Sequence, residues 1–190
     1  AEVSPQLEGY KARGIEVLLL TDPVDAFWVR TSLGYDGKPF KSVTQGDTDL
    51  DQIAKEEKKD DNEQEVAAAT ATLIAALKTA LGDAVQDVSK SNRLTSSPVC
   101  IVAGDQGFDR TLEKYLARQE GKTSISAPVL EINPEHALIA KLAERAGKGE
   151  DMGEAARLLL DQAVILEGEV PDDATGFAER LSRLMQQVYD

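Results

Sequence analysis

The sequence predicts an α+β protein: a small α/β segment followed by an α+β domain that closes in a helical hairpin. Three observations lead there. From residue 62 the order of patterns is helix, strand, strand, helix, strand, helix and then two more helices, with strand-length apolar runs set among segments of helical period. Between Asp47 and Glu65, nine acidic residues stand against three lysines, and Leu50 and Ile53 are the only large apolar groups, which is a linker composition. The stretch from Asp151 to Asp190 carries more apolar surface at helical spacing than a chain end can leave in water. These observations divide the chain into an α/β unit at 1–45, an acidic linker at 46–61 with a solvated helical turn or two, and a domain at 62–190.

In the first unit, Ser4 can cap a short helix with Pro5 at its first position, and Gly14 ends it. Ile15 to Leu20 reads as a buried strand. Asp22-Pro23 opens a helix whose apolar members are Val24, Phe27, Trp28 and Leu33, and Gly34, Tyr35-Asp36-Gly37 and Pro39 end it in turns. Phe40 to Val43 follows as a second short strand.

In the second domain, Asn62 with Glu65 forms a capping-box pattern ahead of Val66, Ala69, Leu73, Leu77 and Ala80, and Gly82 supplies the stop. Val85 to Ser89 and Pro98 to Ala103 read as strands joined by a polar turn, with Pro98 suited to a first position. The helix predicted from Gly107 to Gln119 places Phe108, Leu112, Tyr115 and Leu116 at i, i+4, i+7 and i+8. Val129 to Ile132 is a further strand, and Asn133-Pro134 caps a helix through Leu138, Leu142 and Ala143 towards Gly147.

The closing hairpin bends at Pro171-Asp172. Its first helix carries Met152, Ala155, Ala156, Leu158, Leu159, Leu160, Ala163, Val164, Ile165 and Leu166 around a polar strip of Glu150, Glu154, Arg157 and Asp161, the pattern of a helix buried nearly all round. The second sets Phe177, Leu181, Leu184, Met185 and Val188 on one face, opposite Glu179, Arg180, Ser182, Arg183, Gln186 and Gln187. Two ways of covering these faces stand open from the residues alone: both pack on the parent domain, or one pairs with an identical hairpin across a twofold axis. No period of 20 to 50 residues recurs.

With 190 residues, of which 42% are hydrophobic, the chain can build a real core. A net charge of −13 opposes extended contact with phosphate backbones or anionic lipid, so nucleic acid and membrane surfaces are excluded as first partners. No apolar run is expected to approach the ~18 residues of a membrane helix. Ala1-Glu2-Val3-Ser4-Pro5 has neither the basic nor the apolar region of a secretory signal, and the default compartment is the cytoplasm. Cys100, the single cysteine, has no internal partner, which fits a reducing environment.

Groups capable of chemistry are sparse. His136 is the sole histidine, which excludes a multi-histidine zinc site, and in a first helical turn it reads as a polar surface or capping residue. Cys100, between Val99 and Ile101, reads as an inert buried thiol. Gly104-Asp105-Gln106-Gly107 sits between a strand and a helix, where a phosphate could bind. It has neither the glycine spacing of a dinucleotide fingerprint nor a Walker lysine, and Asp105 would repel an anion. The competing functional reading is a small α/β enzyme using Asp105 or His136 at the Gly104–Gly107 turn. Another is an adaptor whose Phe108 stripe is simply core.

Several segments, in order and spacing, resemble the bacterial HtpG branch of the heat shock protein 90 family of molecular chaperones. They are Gly14-Ile15-Glu16-Val17-Leu18-Leu19-Leu20-Thr21-Asp22 with Val24-Asp25, Tyr35-Asp36-Gly37-Lys38-Pro39-Phe40 with Ser42-Val43, Arg93-Leu94-Thr95 with Ser97-Pro98, Leu130-Glu131-Ile132-Asn133-Pro134-Glu135-His136, and Leu158-Leu159-Leu160-Asp161-Gln162-Ala163. The resemblance implies that residues 1 to about 45 end the family's middle domain, that the chain from about 60 is its C-terminal dimerisation domain, and that the whole is a fragment. It implies a homodimer held by a four-helix bundle, with Leu158, Leu159, Ala163, Phe177, Leu181, Leu184, Met185 and Val188 at the interface. It also implies a surface for unfolded or partly folded client proteins at Phe27, Trp28, Phe108, Leu112, Tyr115 and Leu116, in the service of protein folding under stress. The ATP and Mg site would lie in an N-terminal domain beyond this chain, so no cofactor, metal or catalytic residue is expected here. Val188-Tyr189-Asp190 lacks the acidic tail of the eukaryotic relatives, so no tail-binding co-chaperone is implied.

Overall fold

The computed structural model describes residues 4–22, 24–44, 50, 62–104, 110–119 and 126–189. Its elements are a 3-10 turn at Pro5–Leu7, α1 (Glu8–Ala12), α2 (Asp25–Thr31), α3 (Asn62–Leu81), a 3-10 turn at Gly82–Ala84, β1 (Asp87–Lys90), β2 (Val99–Val102), α4 (Arg110–Gln119), β3 (Val129–Ile132), α5 (Ala137–Gly147), α6 (Gly153–Leu166) and α7 (Ala174–Tyr189).

The sheet has the order β1-β3-β2, so the two strands expected to sit on either side of a polar turn flank a third instead. β1 runs parallel to β3, and β2 antiparallel, with Val99 opposite Ile132 and Val102 opposite Val129. Alternation sends Leu130 and Ile132 of β3 to one face, where they join Val88, Val99 and Ile101. Leu73, Leu77 and Leu81 of α3, Ile139 and Leu142 of α5, and Ala156, Leu159 and Ala163 of α6 complete that core. The other face of the sheet holds Cys100, Val102, Val129 and Leu94. Both faces are therefore covered, which is why β2 is apolar throughout and buried at every position.

α3 is long and apolar enough over Val66–Ala84 to meet the length and composition of a membrane span, contrary to the expectation that no run approaches it. Its leucines form one inward stripe, and much of its outward apolar character is alanine at 67, 68, 71 and 75. The stop at Gly82 is realised with φ +51°.

The first unit departs most from expectation. Ser4 Oγ accepts from Gln6 N at 3.4 Å and Pro5 opens the first turn, as predicted. Ile15 to Leu20, however, is unpaired, and Leu18 is 73% exposed. Phe40 to Val43 likewise forms no strand. An apolar run becomes a strand only where a neighbour supplies ladder hydrogen bonds, and no described residue does so for either segment. α2 begins at Asp25, with Asp22 Oδ1 accepting from Val24 N at 3.0 Å and Asp25 Oδ2 accepting from Asp22 N at 2.9 Å; Pro23 lies outside the described residues. The same holds for the acidic linker except Leu50, which is buried rather than solvated.

Beside the buried Leu7, polar contacts dock this unit. Glu8 accepts from the backbone N–H groups of Thr95, Ser96 and Ser97 at 2.7, 2.8 and 3.1 Å, and from the Ser97 hydroxyl at 2.5 Å. Burial by itself would raise this carboxyl's pKa; the hydrogen bonds from the Ser97 side chain and the three amides prevail and hold it at about 2. Gly9 lies so close to the loop that an added Cβ would stand 2.6 Å from the Arg93 carbonyl oxygen, so only glycine fits there.

Candidate functional site

Two exposed apolar regions emerge. The first joins α2 to α4. The rings of Phe27 and Tyr115 meet edge to face with centroids 5.7 Å apart, and Trp28 lies 5.2 Å from Phe40. Phe27, Trp28 and Tyr115 each keep between 36 and 48% of their surface in solvent. Two segments distant in sequence thus converge on one aromatic surface.

The rest of the expected stripe behaves differently. Leu112 is buried within the subunit and is corrected from client-facing to core, because the first turn of α4, with Arg110, is sunk into the molecule and the helix emerges only towards Tyr115. Leu116 is half-buried, and Phe108 lies outside the described residues. Sequence reading missed Val24, Leu33 and Tyr35, all largely exposed; Tyr35 carried no signal beyond its turn.

The second region is the hairpin. α6 lies against β2 and α3, so Leu159 and Ala163, expected at a dimer interface, belong to the subunit's own core. Leu158 is half-buried, and Ile165 and Leu166 are exposed. Asp161, placed on the polar strip by periodicity, is buried and receives Arg180 Nη2 at 3.0 Å. Arg183 also pairs with Glu154, with both side chains at least half in solvent. α7 is thus held to α6 by arginines read as its outer, polar face. At ~100° per residue, its apolar stripe turns aside from that contact. Leu181, Leu184, Met185 and Val188 are 39, 48, 51 and 72% exposed, Phe177 is half-buried, and no residue of α7 is buried.

The groups considered for chemistry sit apart. His136 is the N-cap of α5, its Nδ1 accepting from Leu138 N at 3.2 Å, and this corrects the assignment of the cap to Asn133-Pro134. Asn133 instead accepts from Glu135 N within the preceding turn. His136 follows the C-terminal end of β3, whereas Gly104 follows the C-terminal end of the antiparallel β2, so the two lie at opposite ends of the sheet. Beside Gly104 is a shallow, open depression of about 400 Å³, lined by Asp83, Val85, Gln86, Gly104, Ser126 and Ala127. Asp105, Gln106 and Gly107 lie outside the described residues.

Cys100 is buried, and its thiol is pushed well above the usual range by that burial and by the adjacent Glu131 carboxylate, so it is protonated and inert as expected. Glu131 itself belongs to a buried network invisible to periodicity. Arg93 Nε and Nη2 donate to its two oxygens at 2.9 and 3.0 Å, Ser91 Oγ donates at 2.7 Å, and Arg93 Nη1 donates to the Val43 carbonyl. The network is structural: it crosses from the sheet to the first unit.

The family model described as "Hsp90 protein" matches residues 1–190. The chain is 52% identical to the HtpG chaperone protein of Nitrobacter hamburgensis over 98% of its own length, 51% identical to that of Azorhizobium caulinodans over 98%, and 52% identical to that of Rhizobium meliloti over 96%. It spans 29 or 30% of the length of these curated relatives. A match over the whole chain, with half of its residues shared, means that the chain belongs to the Hsp90 family of chaperone proteins.

Proposed function

We propose that this chain homodimerises through the apolar face of α7 and presents the Phe27, Trp28 and Tyr115 surface to unfolded or partly folded client proteins, as one part of an ATP-dependent chaperone. The observation that carries the reading is α7: Leu181, Leu184, Met185 and Val188 form one stripe that keeps 39 to 72% of its surface in solvent. A contiguous apolar stripe of this kind on a surface helix marks a protein contact. An identical helix related by a twofold axis would bury both stripes against each other, with Leu158, Ile165 and Leu166 at the margin, giving a four-helix bundle. The aromatic surface suits extended apolar polypeptide, since rings contribute large contact area at low conformational cost. ATP binding and hydrolysis are assigned to parts of the longer relatives that this chain does not span. The dimer would hold two such parts at high effective concentration.

Sedimentation equilibrium tests the central claim. The chain should behave as a dimer, and Leu184→Asp as a folded monomer, because an unpaired carboxylate in an apolar interface costs several kcal/mol. A monomer for the unmodified chain at tens of micromolar overturns the reading.

A further inference from the structure

We infer that the turn between α6 and α7 mechanically couples the aromatic surface to the exposed apolar face of α7, with Arg110 as its positioning residue. The inference rests on the two-surface reading proposed above and adds a regulation of those same surfaces. Gly168, at φ +75°, makes the turn, and a glutamate flanks it on either side. Glu167 Oε1 accepts from Gln6 Nε2 at 2.7 Å, and Gln6 Nε2 also reaches the Ile101 carbonyl at 2.9 Å. Glu169 accepts from Arg110 Nη2 with both oxygens, at 2.9 and 3.1 Å.

Both donors are buried, and the side chain of Arg110 is only 4% exposed. Among the described residues, Arg110 Nε and Nη1 and Gln6 Oε1 have no hydrogen-bond partner. A buried guanidinium with one carboxylate contact cannot leave it without stranding a charge, so α4 and the turn move together. The far end of the Arg110 contact is the element that carries Tyr115, since Arg110 opens α4; Gln6 lies in the 3-10 turn at Pro5–Leu7 and anchors the turn to the sheet through the Ile101 carbonyl. Polypeptide that moves Tyr115 and α4 away from Phe27 therefore pulls on Glu169 through Arg110, and α7 follows from Gly168. By linkage the influence is reciprocal: dimerisation changes affinity at the aromatic surface by the same factor.

The test uses the whole chain and, as probe, a permanently unfolded, reduced and carboxymethylated protein. The dimer dissociation constant is measured by sedimentation with and without saturating probe, and probe affinity by fluorescence anisotropy. The probe should shift the dimer constant about tenfold, within the usual range of coupling between sites. Glu169→Gln should remove most of that shift while leaving dimerisation and probe binding in place, and Glu169→Asp, which keeps the carboxylate, should restore it. If Glu169→Gln fails to fold, Arg110→Lys, which keeps the charge but loses the two-oxygen contact, carries the test. A dimer constant indifferent to probe in the unmodified chain, or a full shift surviving in the variants, overturns the coupling and leaves the two-surface reading intact. A chain that neither dimerises nor binds the probe sinks that reading itself.

Discussion

The two helices of the terminal hairpin both carry apolar stripes and meet opposite fates. α6 buries Ala156, Leu159, Leu160 and Ala163 in the core, whereas α7 buries nothing. The difference lies in how the apolar residues are arranged. α6 is apolar around most of its circumference, so it can face the sheet while its flank meets α7. α7 has a single stripe and a polar remainder, and two arginines on that remainder, Arg180 and Arg183, tie it to Asp161 and Glu154. The Arg180–Asp161 pair is largely covered, whereas the Arg183–Glu154 pair is half in solvent and the apolar stripe keeps 39 to 72% of its surface exposed.

The sharpest way to break this contrast is to place the same charge on each helix. Leu159→Asp puts a carboxylate among Val99, Ile101 and Leu77 and removes apolar burial, with an expected loss of about 5 kcal/mol, enough to unfold a domain of ordinary stability. Leu181→Asp should change the stability of the isolated subunit by less than about 1 kcal/mol and shift the chain to monomer. Urea denaturation at low protein concentration, beside sedimentation, separates the two. A folded Leu159→Asp would place α6 outside the core.

The buried Arg93–Glu131 pair comes next in size. Arg93→Ala leaves Glu131 without its bidentate partner beneath the sheet, and about 3 to 5 kcal/mol should be lost. Replacing both with apolar residues of similar volume should recover much of this, because two desolvation costs vanish together. Chemical denaturation of the single and double variants reads the recovery. A double variant no better than Arg93→Ala would give the backbone contact at Val43 the larger share.

Glu8 gives a smaller effect with a definite pH window. Its carboxyl pKa is depressed in the folded chain from 4.5 to about 2, so its stabilisation is complete above about 4.5 and is lost as pH falls from there through 2. After discounting for partial exposure, about 2 kcal/mol is expected, confined to the docking of the first unit. Melting temperatures of the unmodified chain and Glu8→Gln should differ at pH 6 and converge near pH 2.5. A constant difference would assign the effect to hydrogen-bond geometry rather than charge.

How much of this was legible depended on whether a signal was local. Val129 to Ile132 was read with its own ends, and the helix from Asn62 was stopped correctly at Gly82, because period and stop residues are neighbours in sequence. Ile15 to Leu20 was misread because a strand needs a partner, and a partner is not a property of the run. Asp161 was misplaced for a related reason: periodicity ranks residues by polarity and cannot see that Arg180 will cover this one. In the aromatic region, helical spacing pointed to Tyr115 and Leu112 alike. Only the sinking of the first turn of α4, visible in three dimensions, separates the exposed ring from the buried leucine.

The finest comparison lies within the aromatic surface, between what the rings do for each other and what they offer a partner. Phe27 and Tyr115 meet edge to face at 5.7 Å, a geometry worth about 0.5 to 1.5 kcal/mol beyond area burial. A double-mutant cycle with Phe27→Ala and Tyr115→Ala should return a coupling in that range for stability. Trp28→Ala with Tyr115→Ala should be nearly additive, since Trp28 packs against Phe40 instead, the rings tilted by 45°. If the rings also form one recognition surface, each single substitution should weaken binding of an unfolded probe severalfold, and the pair should not weaken it by the full product. Full additivity in binding would mean that the rings contact a client independently, as separate anchors.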